Sequence, residues 1–181
     1  AGNVLVRALL QNDIDLVRQA RDSISSEIVT GQAEGIQPDW SFHQHGTQQQ
    51  FGNYGLSFLA SMSFYSGVFA GTSLAFSVEQ LEIVRRLTDE GYRWILWKGK
   101  MDISALGRQF FQQSQVHKGL GTAFAATELG GGASEACNET ARALCRENFQ
   151  PDTKNGLPGH NHFFCSSYTV PRRPTWIATV K

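Results

Sequence analysis

Over most of the first 150 positions, apolar residues recur at helical spacing. Val4 to Leu10 read as the end of one helix. Asn12 supplies an N-cap for the next, with Asp15 in its first turn, and Leu16, Val17, Ala20, Ile24 and Ile28 mark one face. A third helix is expected from about Tyr54 to Ala70. It is almost wholly apolar or small, which predicts burial all round. Ser77 and Gln80 make a capping box. It opens a fourth helix with Leu81, Val84, Leu87 and Trp94 on its apolar face and Gly99 at its end. Two shorter helices follow, about His117 to Leu129 and Ser134 to Glu147, separated by Gly130-Gly131-Gly132. Between the second and third helices, Gly31 to Asn53 is a polar loop rich in Gly and Gln. A loop that long inside a compact domain is usually functional.

The pattern changes near residue 150. Pro151 to His162 is rich in Pro, Gly and Asn, so a linker is placed at 151–159. His162 to Tyr168 and Thr175 to Val180 carry β-branched and aromatic residues and read as strands, with Pro171 and Pro174 between them. Serial helices joined by loops of varied length point to an α/α bundle or toroid. The chain opens inside one periodic stretch and stops inside another, so it is expected to be an internal piece of a longer protein.

Composition narrows the picture. Of the 181 residues, 41% are hydrophobic and 18% charged, the balance of an ordinary globular protein. Lys plus Arg and Asp plus Glu are 16 each, for zero net charge. Total charge therefore argues for neither nucleic acid nor an anionic membrane, and a polyanionic partner would need a local basic site. No apolar run is long enough to span a bilayer, and no signal peptide is visible. Three cysteines make no even-numbered framework. Cys137 and Cys145 on one helix are separated by roughly 12 Å of rise, too far for a disulfide. With Ala141 and Leu144 they form an apolar stripe. Cys165 could pair with a residue beyond this piece of chain. Asn138-Glu139-Thr140 matches the glycosylation acceptor pattern, which short sequences often match by chance.

The chemistry concentrates in Gln37-Pro38-Asp39-Trp40-Ser41-Phe42-His43-Gln44-His45-Gly46, continuing through Phe51-Gly52-Asn53-Tyr54-Gly55. Imidazoles, aromatic rings, amides and a phenol share this one loop, with Pro-Asp and the glycines supplying turns. Tyr54 follows His45 by nine residues, and Gly107-Arg108 places Arg108 fifty-four residues after Tyr54. On these residues the chain resembles polysaccharide lyase family 8, the chondroitin AC, hyaluronate and xanthan lyases. That family's catalytic His, Tyr and Arg occur in this order at closely similar spacing.

The resemblance implies a mainly α fold, part of an incomplete α/α toroid over 1–150, followed by the start of an antiparallel β-sandwich domain over 160–181. It implies cleavage of a uronic-acid-containing glycan by β-elimination, giving 4,5-unsaturated uronate products, with chondroitin or hyaluronan as first choice and xanthan-like polymers as the alternative. It also implies an enzyme working outside the cell: secreted, extracellular, or periplasmic in a bacterium. His45, Tyr54 and Arg108 are the expected catalytic residues, and Trp40, Gln44, Asn53 and Gln112 the expected substrate contacts. The expected partner is an anionic polysaccharide, with no nucleic acid, no membrane and no cofactor. The family's carboxylate-facing Asn would lie upstream of Ala1, and Asn3 is too close to His45 to replace it. An acidic residue supporting the Tyr/Arg pair would lie beyond Lys181. The family's second Arg, four residues after the first, is Gln112 here. The isolated 181-residue piece is accordingly expected to bind weakly and turn over poorly.

The residues suit this reaction on their own terms. The C5 proton of a uronate is weakly acidic while the neighbouring carboxylate is charged. Three jobs follow: neutralise the carboxylate, accept the proton and protonate the leaving oxygen. A neutral imidazole is available near physiological pH, which suits His45 as base. A guanidinium at Arg108 would favour the phenolate of Tyr54. Tyr54 is then the acid at the leaving oxygen, and a second role as base stays open. Trp40 suits either a sugar ring or the core. His43-Gln44-His45 and His160-Asn161-His162 invite a metal reading, but no third ligand stands at a recognisable zinc spacing. His160 and His162 lie where the β part starts and are placed beside the cleft. Two other classes compete: a non-catalytic glycan-binding α/α module, and a glycoside hydrolase on a similar toroid. Hydrolysis generally needs two carboxylates, and the loop offers Asp39 alone, at a turn-forming position.

Overall fold

The structure, a computed structural model, describes residues 1–132, 134–150 and 157–181. Helix α1 (Gly2–Leu10) packs against α2 (Ile14–Ser25). The start of α2 is capped by Asp13, whose side chain accepts from the Leu16 amide at 3.0 Å. Asn12, the cap expected from the sequence, instead holds a left-handed turn between the helices (φ 54°). Val17, Ala20, Ile24 and Ile28 are buried as their spacing predicts, and Leu16 is partly buried.

The polar stretch after α2 is not a plain loop. It contains a short antiparallel pair, β1 (Gly35–Ile36) and β2 (Phe42–His43), then a π-helical turn, Phe51–Gly55, that leads into α3 (Leu56–Phe69). Helix α3 is buried along Leu59, Met62, Ser63, Ser66 and Phe69 only, while Phe64 and Val68 are exposed. Burial all round therefore does not hold: among the described residues its main helical neighbour is α6, on one side.

The capping box at Ser77 and Gln80 forms and opens α4 (Val78–Arg86). A second π-helical turn, Leu87–Tyr92, and a single turn, α5 (Arg93–Ile95), complete that element. It stops at Ile95, short of Gly99. Lys98 and Gly99 instead make the positive-φ turn between β3 (Leu96–Trp97) and β4 (Lys100–Met101). Helix α6 (Ser114–Gly132) begins before His117 and continues through Gly130 to Gly132, because packing against α3 and α7 (Glu135–Phe149) outweighs their poor propensity. On α7, Cys137, Ala141 and Leu144 are buried, and the three cysteines are free. Thr140 of the acceptor pattern is buried in the same helix.

Of the expected linker, residues 151–156 lie outside the described residues. Strand β5 (Gly159–Phe163) begins earlier than the pattern suggests and pairs antiparallel with β6 (Tyr168–Arg173), which pairs with β7 (Trp176–Ile177). Pro171 lies inside β6, opposite His160 rather than between strands. It is tolerated because only its carbonyl is used, accepting from Ala178 at 3.1 Å. The chain is thus mainly helical, with small antiparallel sheets, as expected.

The sheet is seated on the helices through a mixed seam. Phe51 meets Tyr92 and Phe163 edge-on, and Phe163 stacks on Tyr168. The Tyr168 hydroxyl donates to Asp102 and, buried beside that carboxylate, is held above the ordinary phenol range. Arg172 is 1% exposed and donates to the Arg93 carbonyl, and burial pushes its guanidinium down to about 10. Arg93 itself grips Glu147 of α7 with two hydrogen bonds, at 2.5 and 3.2 Å.

Helix α6 crosses the β3–β4 turn so closely that a Cβ on Gly119 would stand 2.1 Å from the Gly99 carbonyl oxygen. In a free helix Gly→Ala stabilises by roughly 0.5–1 kcal/mol, whereas overpacking against backbone costs about 1–3 kcal/mol. Gly119→Ala should therefore lower the urea midpoint instead of raising it. A rise would show that this crossing is looser than described.

Candidate active site

The site is built on the hairpin that continues β2. Pro38-Asp39-Trp40-Ser41 turns the chain, and the buried Asp39 carboxylate holds the turn. One oxygen accepts from the Ser41 amide (3.0 Å) and hydroxyl (2.7 Å). The other accepts from the Cys165 amide of the sheet segment at 2.6 Å. The Gln50 amide then donates to the Phe42 carbonyl (2.8 Å) and the Gln44 amide to the Gln48 carbonyl (3.1 Å). That ladder leaves His45 and Gly46 at the tip, both with positive φ, 61° and 79°. For His45 the left-handed conformation costs about 1–2 kcal/mol, so its surroundings must enforce it. Glu34 reaches across: one carboxylate oxygen accepts from the Gly46 amide at 3.0 Å and the other from the Gln44 side chain.

Tyr54 stands on the first π-helical turn, half-buried, with its ring edge-on to His45 at 5.1 Å between centroids. The Tyr54 oxygen lies 3.0 Å from His45 Nε2. Arg108 Nη2 donates to the same oxygen at 3.4 Å, the long end of hydrogen-bond range. Arg108 is aimed by Gly107 (φ 67°), where a Cβ would come 2.1 Å from Gln50 Oε1 and 3.4 Å from the Asn53 Cβ. The left-handed φ favours glycine at 107, and there the arginine loop docks directly on the histidine hairpin.

His45 and Arg108 face a cleft of about 620 Å³, shared with Thr47, Gln48, Phe110 and Lys181. Its lining has cations and amides and, among the described residues, no acidic side chain. Tyr54 lines a second, neighbouring hollow of about 420 Å³ with Gln44, Phe58 and two carboxylates, Glu27 and Glu34. The three residues expected to be catalytic thus meet around one phenolic oxygen.

The other candidates are arranged differently. Gln44 reaches the second hollow but is engaged by Glu34. Asn53 is buried beneath Gly107, and Gln112 is exposed beyond the arginine loop. Trp40 is half-buried and stacks on the Arg86 guanidinium at 4.2 Å. His43 points away from His45, with Nε2 2.9 Å from the Ser166 hydroxyl. His160 and His162 are exposed on β5, and His162 bonds Thr169 at 2.8 Å. Among the described residues no cluster of three or more His, Cys, Asp or Glu could hold a metal ion. No helix among them is long and apolar enough to cross a membrane. Glu34, Phe110 and Lys181 escaped the sequence reading, because they lie on no periodic face and in no recognisable motif.

Residues 1–147 match the family model described as polysaccharide lyase family 8, N terminal alpha-helical domain. Among solved structures, a chondroitinase AC lyase studied in oligosaccharide complexes superposes with a TM-score of 0.83 at 22% identity, over 98% of this chain and 27% of that one. The Streptomyces coelicolor A3 chondroitin AC lyase, solved with chondroitin sulphate, gives 0.84 at 20% identity, over 97% and 29%. A Paenibacillus xanthan lyase gives 0.80 at 18%, over 94% and 19%. The chain therefore spans less than a third of the length of each of these three structures, and the likeness to them is one of fold. Comparison with curated proteins gives no match.

The buried His43 generates a pH dependence. Burial lowers its pKa below the usual 6.5, and nearby Lys181 adds to the effect while Asp39 opposes it. The unfolded chain then binds a proton at His43 more readily than the folded one. Its contribution to stability is therefore complete above about pH 6.5 and falls as pH drops through that value toward the lowered pKa. Urea unfolding of the wild type and His43→Gln at pH 7.5 and 5.5 should show a smaller acid loss in the variant, whose amide still reaches Ser166. Equal losses would remove His43 as the cause.

Proposed function

Because the chain belongs to polysaccharide lyase family 8, we propose that it carries the catalytic His, Tyr and Arg of a lyase that cleaves a uronic-acid-containing glycan by β-elimination. The observation that supports this most is the convergence of His45 Nε2 and Arg108 Nη2 on the Tyr54 oxygen, beside a cleft with no acidic side chain among the described residues. In the proposed step His45 takes the C5 proton. The C–H electron pair becomes the C4=C5 double bond, and the C4–O bond breaks. Tyr54 protonates the departing oxygen, and Arg108 stabilises the phenolate left behind. His45, 3.0 Å from Tyr54, can then return its proton to that oxygen and reset both groups.

Hydrolysis fits less well. It would need two carboxylates about the bond, and of the two that line the hollow beside Tyr54, Glu27 and Glu34, the second is occupied by Gly46 and Gln44. The proposed substrates are chondroitin or hyaluronan, since the two named chondroitin AC lyases share this fold. A polymer of that kind does not cross a bilayer, so the proposed location is secreted or extracellular, periplasmic in a bacterium.

In the full-length protein, Tyr54→Phe and His45→Ala should each lower kcat by about 100-fold or more, the usual worth of one acid–base group, with binding retained. Arg108→Ala should raise KM as well as lower kcat. The readout is ultraviolet absorbance of the unsaturated product. A synthetic uronide whose C4 substituent leaves without protonation should restore turnover to Tyr54→Phe but not to His45→Ala. Rescue of neither variant would overturn this division of labour. Undiminished turnover by Tyr54→Phe on polymer would overturn the mechanism.

A further inference from the structure

We propose that Glu34 is a positioning residue for His45, holding the hairpin tip in the left-handed conformation that sets the imidazole on Tyr54; the catalytic part of this inference rests on the lyase reading above. His45 lies between the two residues that Glu34 holds. One carboxylate oxygen takes the Gly46 amide at 3.0 Å and the other takes the Gln44 side chain. A non-glycine residue at φ 61° keeps that conformation only where its surroundings over-determine it. The strand ladder contributes the Gln44 to Gln48 bond below the tip. Glu34 restrains the backbone of the tip itself, since His45 is exposed and its ring meets Tyr54 edge-on and through one hydrogen bond, neither of which holds the 44–46 peptides. Released from Glu34, the 44–46 peptides can relax toward ordinary φ, and the imidazole leaves hydrogen-bond reach of Tyr54. Proton transfer depends on that reach, and a shift of about 1 Å can cost around 100-fold in rate.

Glu34 is itself exposed at the edge of the second hollow, so its removal disturbs the tip without opening the core. A glutamine there keeps the arrangement: its oxygen accepts the Gly46 amide, and the Gln44 amide can flip to accept from its nitrogen. The test uses Glu34→Ala and Glu34→Gln in the full-length protein. Steady-state kinetics follow unsaturated-product absorbance, and hydrogen exchange is read on peptides covering residues 42–50. Expected for Glu34→Ala are a kcat at least about 10-fold lower, a KM within about twofold, faster exchange at Gly46 and an unchanged Tm. Glu34→Gln should retain most of the turnover and the protection. Unchanged exchange at Gly46, an unchanged kcat, or a loss explained by a lower Tm would overturn the proposal. A wild-type protein without lyase activity would refute the function reading alone, and the exchange measurement would then decide whether the clamp exists.

Discussion

The Asp39 carboxylate is the joint on which the site depends. It is 8% exposed, and it accepts three hydrogen bonds, two inside its own turn and one from the Cys165 amide of the sheet segment. A buried carboxylate is tolerated only when its oxygens are satisfied, and here satisfying them joins two distant parts of the chain. The turn launches β2, β2 carries the hairpin, and the hairpin tip carries His45. The hydrogen bond from the Cys165 amide to Asp39 therefore ties the bearing of the imidazole to the seating of the sheet. His43, two residues before His45, adds a second tie through Ser166.

Polar groups are divided along this structure by depth. Beneath the sheet, Arg93, Glu147, Arg172, Asp102 and Tyr168 are largely shielded and committed to one another or to backbone carbonyls. Breaking such a group leaves a desolvated partner, so the seam tolerates little change. At the cleft, His45 and Arg108 are exposed, and Tyr54 is half-buried between them. Their mutual bonds are few, and the one from Arg108 to Tyr54 is at the long end of normal. Rigidity comes from the layer behind: Gln50 against Gly107, Phe51 against Tyr92 and Phe163, and the paired hairpin.

The π-helical turn at Phe51–Gly55 connects the two regions. Phe51 points into the seam while Tyr54, three residues on, meets His45 and lines the second hollow. Such turns widen the helix and redirect side chains, and they recur at functional sites. Tyr92, on the other π-helical turn, donates its hydroxyl to the Phe51 carbonyl at 3.0 Å and so pins the first.

The sequence by itself determined the helices that have a face to bury and a cap to start them. The stripe from Val17 to Ile28, the Ser77–Gln80 box and the Cys137–Leu144 stripe are local patterns, and local periodicity suffices for them. It also determined which residue types meet in the site, through the loop motif and the spacing of His45, Tyr54 and Arg108. Tertiary structure alone decided the rest. The pairing of Gly35 with His43, the reach of Glu34 to Gly46 and the contact of Gln50 with Gly107 link residues that share no period. The same holds for half-burial of α3 and for the helix end at Ile95, since both depend on what neighbouring elements cover. Left-handed φ at His45 could not be read locally, because an isolated histidine avoids it and only hydrogen bonds from elsewhere in the fold hold it there.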